Sequence, residues 1–203
     1  MLGLPEQTSL KKQIPKTMIY KNFDKTLQGQ RKTSFDNDIS RIYIVNEIST
    51  NTINIRESKD INRIFFILIE LKSKSYDDKN IETIVKIFQQ NTIAILSFEG
   101  EYQLAVFNIK LIKSAWQKDF ELEIKGLDIK NVWDNFVIQI GSIDIKAHTN
   151  LDQAIISNIE KEKIKRQIIS LKNKIKRESQ AKKKFDLHKE IKELENKLEE
   201  NYG

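Results

Sequence analysis

The stretch RIFFILIELK, residues 63–72, predicts the central strand of a β-sheet. Its FFILI segment is apolar at successive positions, so both faces of the extended chain need cover. Apolar residues then recur at helical spacing in YDDKNIETIVKIFQQ, residues 76–90, and TIAILSF, residues 92–98, is typical of a strand again. This strand–helix–strand order predicts two parallel strands joined by a right-handed crossover.

Further strands are predicted on both sides of this unit. Before it, ISRIYIV (39–45) and NTINIR (51–56) predict two strands that reach residue 63 through short hairpins. In the first of them, alternation places Ile39 and Arg41 on one face and Ile42 on the other. After it, YQLAVFNI (102–109) and FELEI (120–124) have strand patterns. The result is a mixed sheet.

Two helices are predicted to flank the sheet, in addition to the crossover helix. A short one spans about Met18 to Leu27, between Pro15 and Gly29. The other follows Asp128, which is placed to cap it after the break at Gly126. Its apolar stripe predicts a buried face, with Trp133 and Phe136 interpreted as core residues: Ile129, Val132, Trp133, Phe136, Val137 and Ile140.

From Leu151 onward the chain lacks Pro and Gly until Gly203, which favours long helices. Apolar residues step by four, three and four in two runs, as in coiled-coil seams. The runs do not share a register, so a break is needed near RESQAKKKF (177–185). The prediction is an antiparallel coiled-coil hairpin with its tip around 178–183, and the alternative is a straight helix that dimerises. The runs are Ile164, Ile168, Leu171 and Ile175, then Leu187, Ile191, Leu194 and Leu198.

The net charge of +6 is spread unevenly. Three segments are predicted: a basic N-terminal segment (1–34, net +5), an α+β body (35–150, net −3) and a C-terminal helical hairpin (151–203, net +4). Within the last segment, residues 161–184 carry eleven Lys/Arg against two acids, whereas residues 185–203 carry three against six. Folding the acidic arm onto the basic arm would relieve self-repulsion.

Composition narrows the classes of function. The chain has no cysteine, which excludes disulfides, thiolate metal sites and cysteine nucleophiles. His148 and His188 each lack a second ligand at metal-site spacing, so no metal site is predicted from them. No apolar run is long enough to span a membrane, and a cytoplasmic protein without membrane contact is expected.

One enzymatic hypothesis comes from the end of the central strand. Glu70 and Lys72 are two residues apart and share a face, the spacing that an acid-x-lysine site of a metal-dependent nuclease would use. Mg²⁺, required only under this alternative, would need a further carboxylate. Glu47 is the candidate, on the expectation that it lies at the same end of the sheet as Glu70. A solvent-exposed surface pair is the simpler interpretation.

Two binding hypotheses concern the C-terminal arm. Its cations could contact nucleic-acid phosphates, although aromatic residues for base stacking are lacking apart from Phe185. Its apolar seams could instead dock a protein partner or a second copy of the chain. The candidates are Lys172, Lys176, Arg177, Lys182, Lys183 and Lys184 for nucleic acid, and Ile164, Ile168, Leu171 and Leu194 for a partner.

Six short segments of the chain, in this order, carry a resemblance to a known family: LPEQT (4–8), IPK (14–16), STNTINI (49–55), IELK (69–72), GLDIKNVWDNFVIQI (126–140) and ESQAKKKFDLHKEIKEL (178–194). Together they resemble a family of uncharacterised bacterial proteins built on a domain of unknown function. Members are often encoded beside DNA methyltransferases and helicases of restriction-like or phage-defence loci. The chain departs from the family in FQQNTIAILSF, which lacks the usual Ile-Pro before the strand. The resemblance implies a helicase or methyltransferase as partner, and no established activity.

These observations favour a non-catalytic accessory or adaptor protein of a bacterial DNA-modification or phage-defence system, which docks a partner protein, and DNA, through its helical hairpin. The nuclease with Glu70 and Lys72 is the alternative.

Overall fold

The structure, a computed structural model, describes residues 2–22, 27–88, 91–145 and 150–202. It shows an α+β chain that divides into two compact units, Met1–Ile143 and Asp144–Gly203. His148 lies outside the described residues. Among the helices of the described ranges, none combines the length and apolar character that crossing a membrane requires.

The first unit is built on a mixed sheet whose six strands lie side by side in chain order. The central strand, Arg63–Leu71, pairs antiparallel with the strand before it and parallel with the strand after it, and the other neighbours are antiparallel. This confirms the mixed sheet and the parallel strands of the strand–helix–strand unit. The strands are β1 Ser9–Gln13, β2 Ile39–Ser49, β3 Arg63–Leu71, β4 Asn91–Phe98, β5 Glu101–Phe107 and β6 Leu111–Lys113.

Helices cover both faces of the central strand, as its double apolar character predicts. On one face, Ile67 and Ile69 of β3 pack in a buried cluster with Phe35 and Ile81 from the helices. On the opposite face, Phe66 meets Phe136 edge to face, with ring centroids 5.6 Å apart. The helices of this unit are α1 Lys16–Asn22, α2 Gln30–Asp38, α3 Asp78–Ile87 and α4 Ile129–Gly141.

The fourth helix follows its sequence pattern closely. The Asp128 carboxylate accepts a hydrogen bond from Asn131 N at 2.8 Å, so the predicted cap is confirmed. All six residues of the predicted apolar stripe are buried. Gly126, two residues before the cap, has φ +154°, and a Cβ there would lie 2.7 Å from Val132 N. Glycine is therefore required where the chain turns into α4.

Two predicted strands are wrong. NTINIR is a loop, because β2 continues to Ser49 and pairs directly with β3, and a turn closed by Thr52 N and Ile53 N on Ser49 O follows. FELEI has no strand partner; instead, its Glu123 carbonyl accepts hydrogen bonds from the Asn135 and Gln139 amides of α4. Strand-like composition is not sufficient where no sheet edge is available.

Several elements were not predicted, and one was misplaced. The polar β1 and the short β6 form the two edges of the sheet, and α2 precedes β2. The helix predicted from Met18 to Leu27 is α1, which ends at Asn22; residues 23–26 lie outside the described part. In β2, a bulge between Ile39 and Arg41 shifts the register, so Ile39 and Ile42 join the same core cluster instead of opposite faces.

In the second unit, the last two helices, α5 Leu151–Arg177 and α6 Ala181–Tyr202, pack together. The predicted seam residues form one cluster: Ile164, Ile168, Leu171 and Ile191 are buried, and Ile175, Leu187, Leu194 and Leu198 pack against them. The chain leaves the helical state between the two helices at residues 178–180, inside the segment where a break was expected.

Candidate partner and nucleic-acid interface

The acid of the predicted acid-x-lysine site lies in a polar row across the sheet. Glu70 is in register with Arg41 on one side and with Ser97 on the other, and Ser97 is in register with Tyr102. The Glu70 carboxylate is partly exposed, and within the described residues it makes no hydrogen bond or ion pair. The Lys72 ammonium instead donates to the Asp36 carbonyl at 2.7 Å.

Glu47 does not join Glu70, and the expectation that it would is wrong. It is in register with Phe65, five residues before Glu70, which is about 17 Å along a strand. Because β2 and β3 are antiparallel, the end of β2 lies beside the start of β3. Phe65 also packs in the cluster on the face opposite Glu70, and Glu47 pairs with Arg63 at 3.5 Å. Across the described ranges, no three His, Asp or Glu residues form a group that could hold a metal ion.

A charged cluster that sequence reasoning missed joins α1 to α2. The Asp36 carboxylate accepts hydrogen bonds from Lys16 Nζ at 3.0 Å and from the Tyr20 hydroxyl. Burial opposes ionisation of Asp36, but the hydrogen bonds from Tyr20 and Lys16 outweigh it and hold the pKa of Asp36 below its usual value. Burial, together with Asp36, raises the pKa of Tyr20. Because each group has a partner, this cluster fastens two helices together.

Cations are concentrated at the turn between α5 and α6. Residues 172–184 hold seven Lys/Arg against one acid, Glu178. Lys172, one of the predicted nucleic-acid contacts, pairs with Glu195 of α6 at 2.9 Å. The other six have no ion pair within the described residues: Lys174, Lys176, Arg177, Lys182, Lys183 and Lys184. Five of these six were predicted contacts, and Lys174 is the addition.

An open depression of about 430 Å³ lies at this turn. Both helices contribute to it, and its lining consists of Lys174, Arg177, Glu178, Lys183, Asp186 and Leu187. Glu178 accepts hydrogen bonds from Ser179 N at 2.8 Å and Gln180 N at 2.9 Å. The hydrogen bond from Gln180 N is the main cause that lowers the pKa of the Glu178 carboxyl, and Lys183 and Lys184 add to the shift. The only acid of residues 172–184 is thus engaged by the turn itself.

The predicted partner contacts lie inside the helix pair. Ile164, Ile168 and Leu171 are each 6% exposed, and Leu194 packs against them. These four side chains are therefore not free to contact a partner while the helices are packed together. Among the residues of α5 and α6 whose burial the structure describes, three other large apolar side chains are exposed: Ile156, Ile169 at 59% and Phe185 at 71%. Their position outside the four-three-four spacing is the sequence signal that could have identified them.

A family model described as a domain of unknown function, DUF4391, matches residues 2–198. The chain belongs to the DUF4391 family. The match covers nearly the whole chain, and the resemblance carried by the six sequence pieces is confirmed at the level of a domain of unknown function. No curated protein and no solved structure matches the chain.

The match to DUF4391 includes residues from both compact units. The helix pair is thus part of the family's domain, and so are the unpaired cations at its turn. In this DUF4391 protein, the surface of the helix pair offers long cationic side chains that can donate to phosphate oxygens or carboxylates, and exposed apolar side chains that can bury area against a partner.

Proposed function

We propose that the protein is a non-catalytic accessory or adaptor protein of a bacterial DNA-modification or phage-defence system, and that its helix pair docks a partner protein and contacts DNA. One observation carries the proposal. The second unit buries its seam within the pair, and it still exposes Ile169 on α5 and Phe185, which directly follows three lysines on α6. Large exposed apolar side chains among charges are typical of protein interaction surfaces.

We also propose that α5 and α6 form an antiparallel coiled-coil hairpin. The four-three-four spacing of both seams supports this geometry. The ion pair from Lys172 of α5 to Glu195 of α6 agrees with the pairing of a basic and an acidic arm. Such a surface pair contributes only about 0–1 kcal/mol, so its role would be to select the register of the helices.

The partner that the family resemblance implies is a helicase or DNA methyltransferase encoded at the same locus. Co-expression of the full chain with each of these two proteins is expected to give co-purification of one of them. The double substitution Ile169→Asp and Phe185→Asp is expected to reduce the recovered partner at least about tenfold, because it places two charges in the apolar contact.

A matched control is available in the first unit. Ile109 and Leu127 are 48% and 80% exposed, and Ile109→Asp with Leu127→Asp adds the same charge to the chain. This control should retain the partner. Absence of co-purification with both candidate proteins, or equal recovery by the two double variants, would contradict docking through the helix pair.

Metal-dependent cleavage of nucleic acid is a second candidate function. It is supported by Glu70, a partly exposed carboxylate that lacks a partner in the described part of the chain and lies in register with Arg41 and Ser97. With Glu47 on the opposite face, Mg²⁺ would be held by Glu70 and by water. Lys72 would have to leave the Asp36 carbonyl to orient the attacking water.

The cleavage assay uses DNA and RNA with Mg²⁺ or Mn²⁺. If this function holds, the wild-type chain cleaves and Glu70→Gln lowers the rate at least about 100-fold with an unchanged circular dichroism spectrum. Glu47→Gln serves as the control, because Glu47 lies on the opposite face. An inactive wild-type chain, or unchanged cleavage by Glu70→Gln, rules out this site.

A further inference from the structure

We infer that the turn between α5 and α6 is a binding site for the phosphate backbone of double-stranded DNA. The inference deepens the proposed function, since it rests on the helix pair as the docking element and names the chemistry of one contact. It concerns the cations that line the depression, and Ile169, eight residues before Arg177 on α5, is not among the lining residues.

Cations from both helices meet at this turn. Lys174 and Arg177 come from the last turn of α5, and Lys183 comes from the first turn of α6. All three line the open depression of about 430 Å³. A single helix spreads its side chains around the axis, whereas the return of the chain brings cations that are nine residues apart in sequence to one concavity. A phosphate group could therefore be contacted from two sides.

Within the described residues, the three cations that line the depression form no ion pair, whereas two other lysines of α5 do. Lys165 pairs with Glu162 at 2.9 Å, and Lys172 pairs with Glu195 at 2.9 Å. By contrast, Lys174, Arg177 and Lys183 have no ion pair within the described residues. Unpaired cations close together repel one another, and a polyanion relieves that repulsion when it binds.

Two acids also line the depression and must be weighed. Glu178 is held by two backbone N–H donors of the turn, so part of its charge is compensated internally. Asp186 stands one helical turn beyond Lys182 on α6. Against these two carboxylates stand the three lining cations and Lys176, Lys182 and Lys184 beside them, so the net charge of the turn remains clearly positive.

The composition of the turn favours duplex DNA over a single strand. Single-strand grooves stack successive bases on several aromatic side chains, whereas this turn has only Phe185. Contacts from lysine and arginine to backbone phosphates supply affinity for DNA of any sequence. An acidic protein segment could meet the same charges, and the experiment must separate it from DNA.

The test titrates the full chain into a fluorescent duplex of 30 base pairs and follows anisotropy from about 50 to 300 mM salt. Lys174→Gln with Lys183→Gln removes one lining cation from each helix. Loss of two phosphate contacts is expected to reduce the magnitude of the slope of log K against log salt by about 1.8. It should also weaken binding roughly 10- to 60-fold near 0.1 M salt.

The matched control is Lys163→Gln with Lys192→Gln, which removes the same charge from the same two helices at a distance from the turn. Both of its lysines are exposed. The control should change affinity less than about threefold, and both variants should keep the wild-type circular dichroism spectrum. Equal losses in the two variants would show a diffuse charge effect and overturn the inference, as would the lack of salt-dependent duplex binding by the wild-type chain.

Two further experiments identify the ligand and separate this inference from the docking proposal. Poly-glutamate or single-stranded DNA that competes as well as the duplex at equal charge would overturn the assignment to duplex DNA. The Lys174 and Lys183 double variant should still co-purify with the partner protein. Ile169→Asp should lose the partner and keep the duplex affinity. A variant that loses the partner but still binds the duplex is altered in the protein contact. A variant that loses duplex affinity but still recovers the partner is altered in the DNA contact.

Discussion

Replacing Phe136 with alanine is expected to lower the free energy of unfolding of the first unit by about 3–5 kcal/mol. The side chain is fully buried, and its ring packs edge to face on Phe66 of the central strand. Alanine would leave a cavity between α4 and the sheet, and the aromatic pair would be lost. Urea titration followed by tryptophan fluorescence measures the change, since Trp133 lies in the same helix and is buried.

The control for this substitution is Leu127→Ala. Leu127 is also apolar and precedes the same helix, but it is 80% exposed. Its replacement should change the free energy of unfolding by less than about 0.5 kcal/mol. If Phe136→Ala cost no more than the control, α4 would not be the element that covers the second face of the sheet.

Replacing Ile168 with aspartate is expected to separate the two helices of the second unit. The change puts a charge at a position that is 6% exposed, where burial of an unpaired carboxylate is costly. Most of the stability of a helix in a protein comes from packing of its apolar face, so much of the helical signal of residues 151–202 should be lost with the seam. Circular dichroism and hydrogen exchange of the backbone amides of α5 and α6 measure the effect.

The neighbouring residue provides the control. Ile169 is 59% exposed, so Ile169→Asp should keep the helical signal and the exchange protection, while weakening partner docking. Protection that is unchanged by Ile168→Asp would contradict the packed seam. Separation of the helices also disassembles the turn that holds the DNA cations. In an Ile168→Asp background, the Lys174 and Lys183 double variant and the Lys163 and Lys192 control should therefore show the same slope of log K against log salt.

The elements that could be predicted well are those whose signal is local. In α4, the cap at Asp128 and the apolar stripe lie within one helix, so hydrogen bonding and burial are both visible in consecutive residues. The same holds for β3, where an apolar run demands cover on both faces, and for the paired seams of α5 and α6. The change of seam register also indicates the break that separates the two helices and argues against one straight helix.

The strands that were predicted wrongly or missed depend on a pairing strand elsewhere in the chain. Every residue of β1 is exposed, and it is a strand only because β2 offers an edge. NTINIR has better strand composition, but β2 and β3 pair with each other and leave it no edge. Strand propensity measures how a residue fits a sheet, and it does not choose which segments pair.

The candidate sites show the same division. The sequence by itself determined that a strand ends at Glu70 and Leu71, just before Lys72, that two helices with matching seams follow Leu151, and that cations concentrate at 161–184. Only the tertiary structure decided that Glu47 lies about 17 Å from Glu70 on the opposite face, that Lys172 is paired, and that Lys174, Arg177 and Lys183 line one depression. Spacing along a helix or strand is set by local backbone geometry, whereas strand direction, bulges and the packing of one helix on another bring together residues that are distant in sequence.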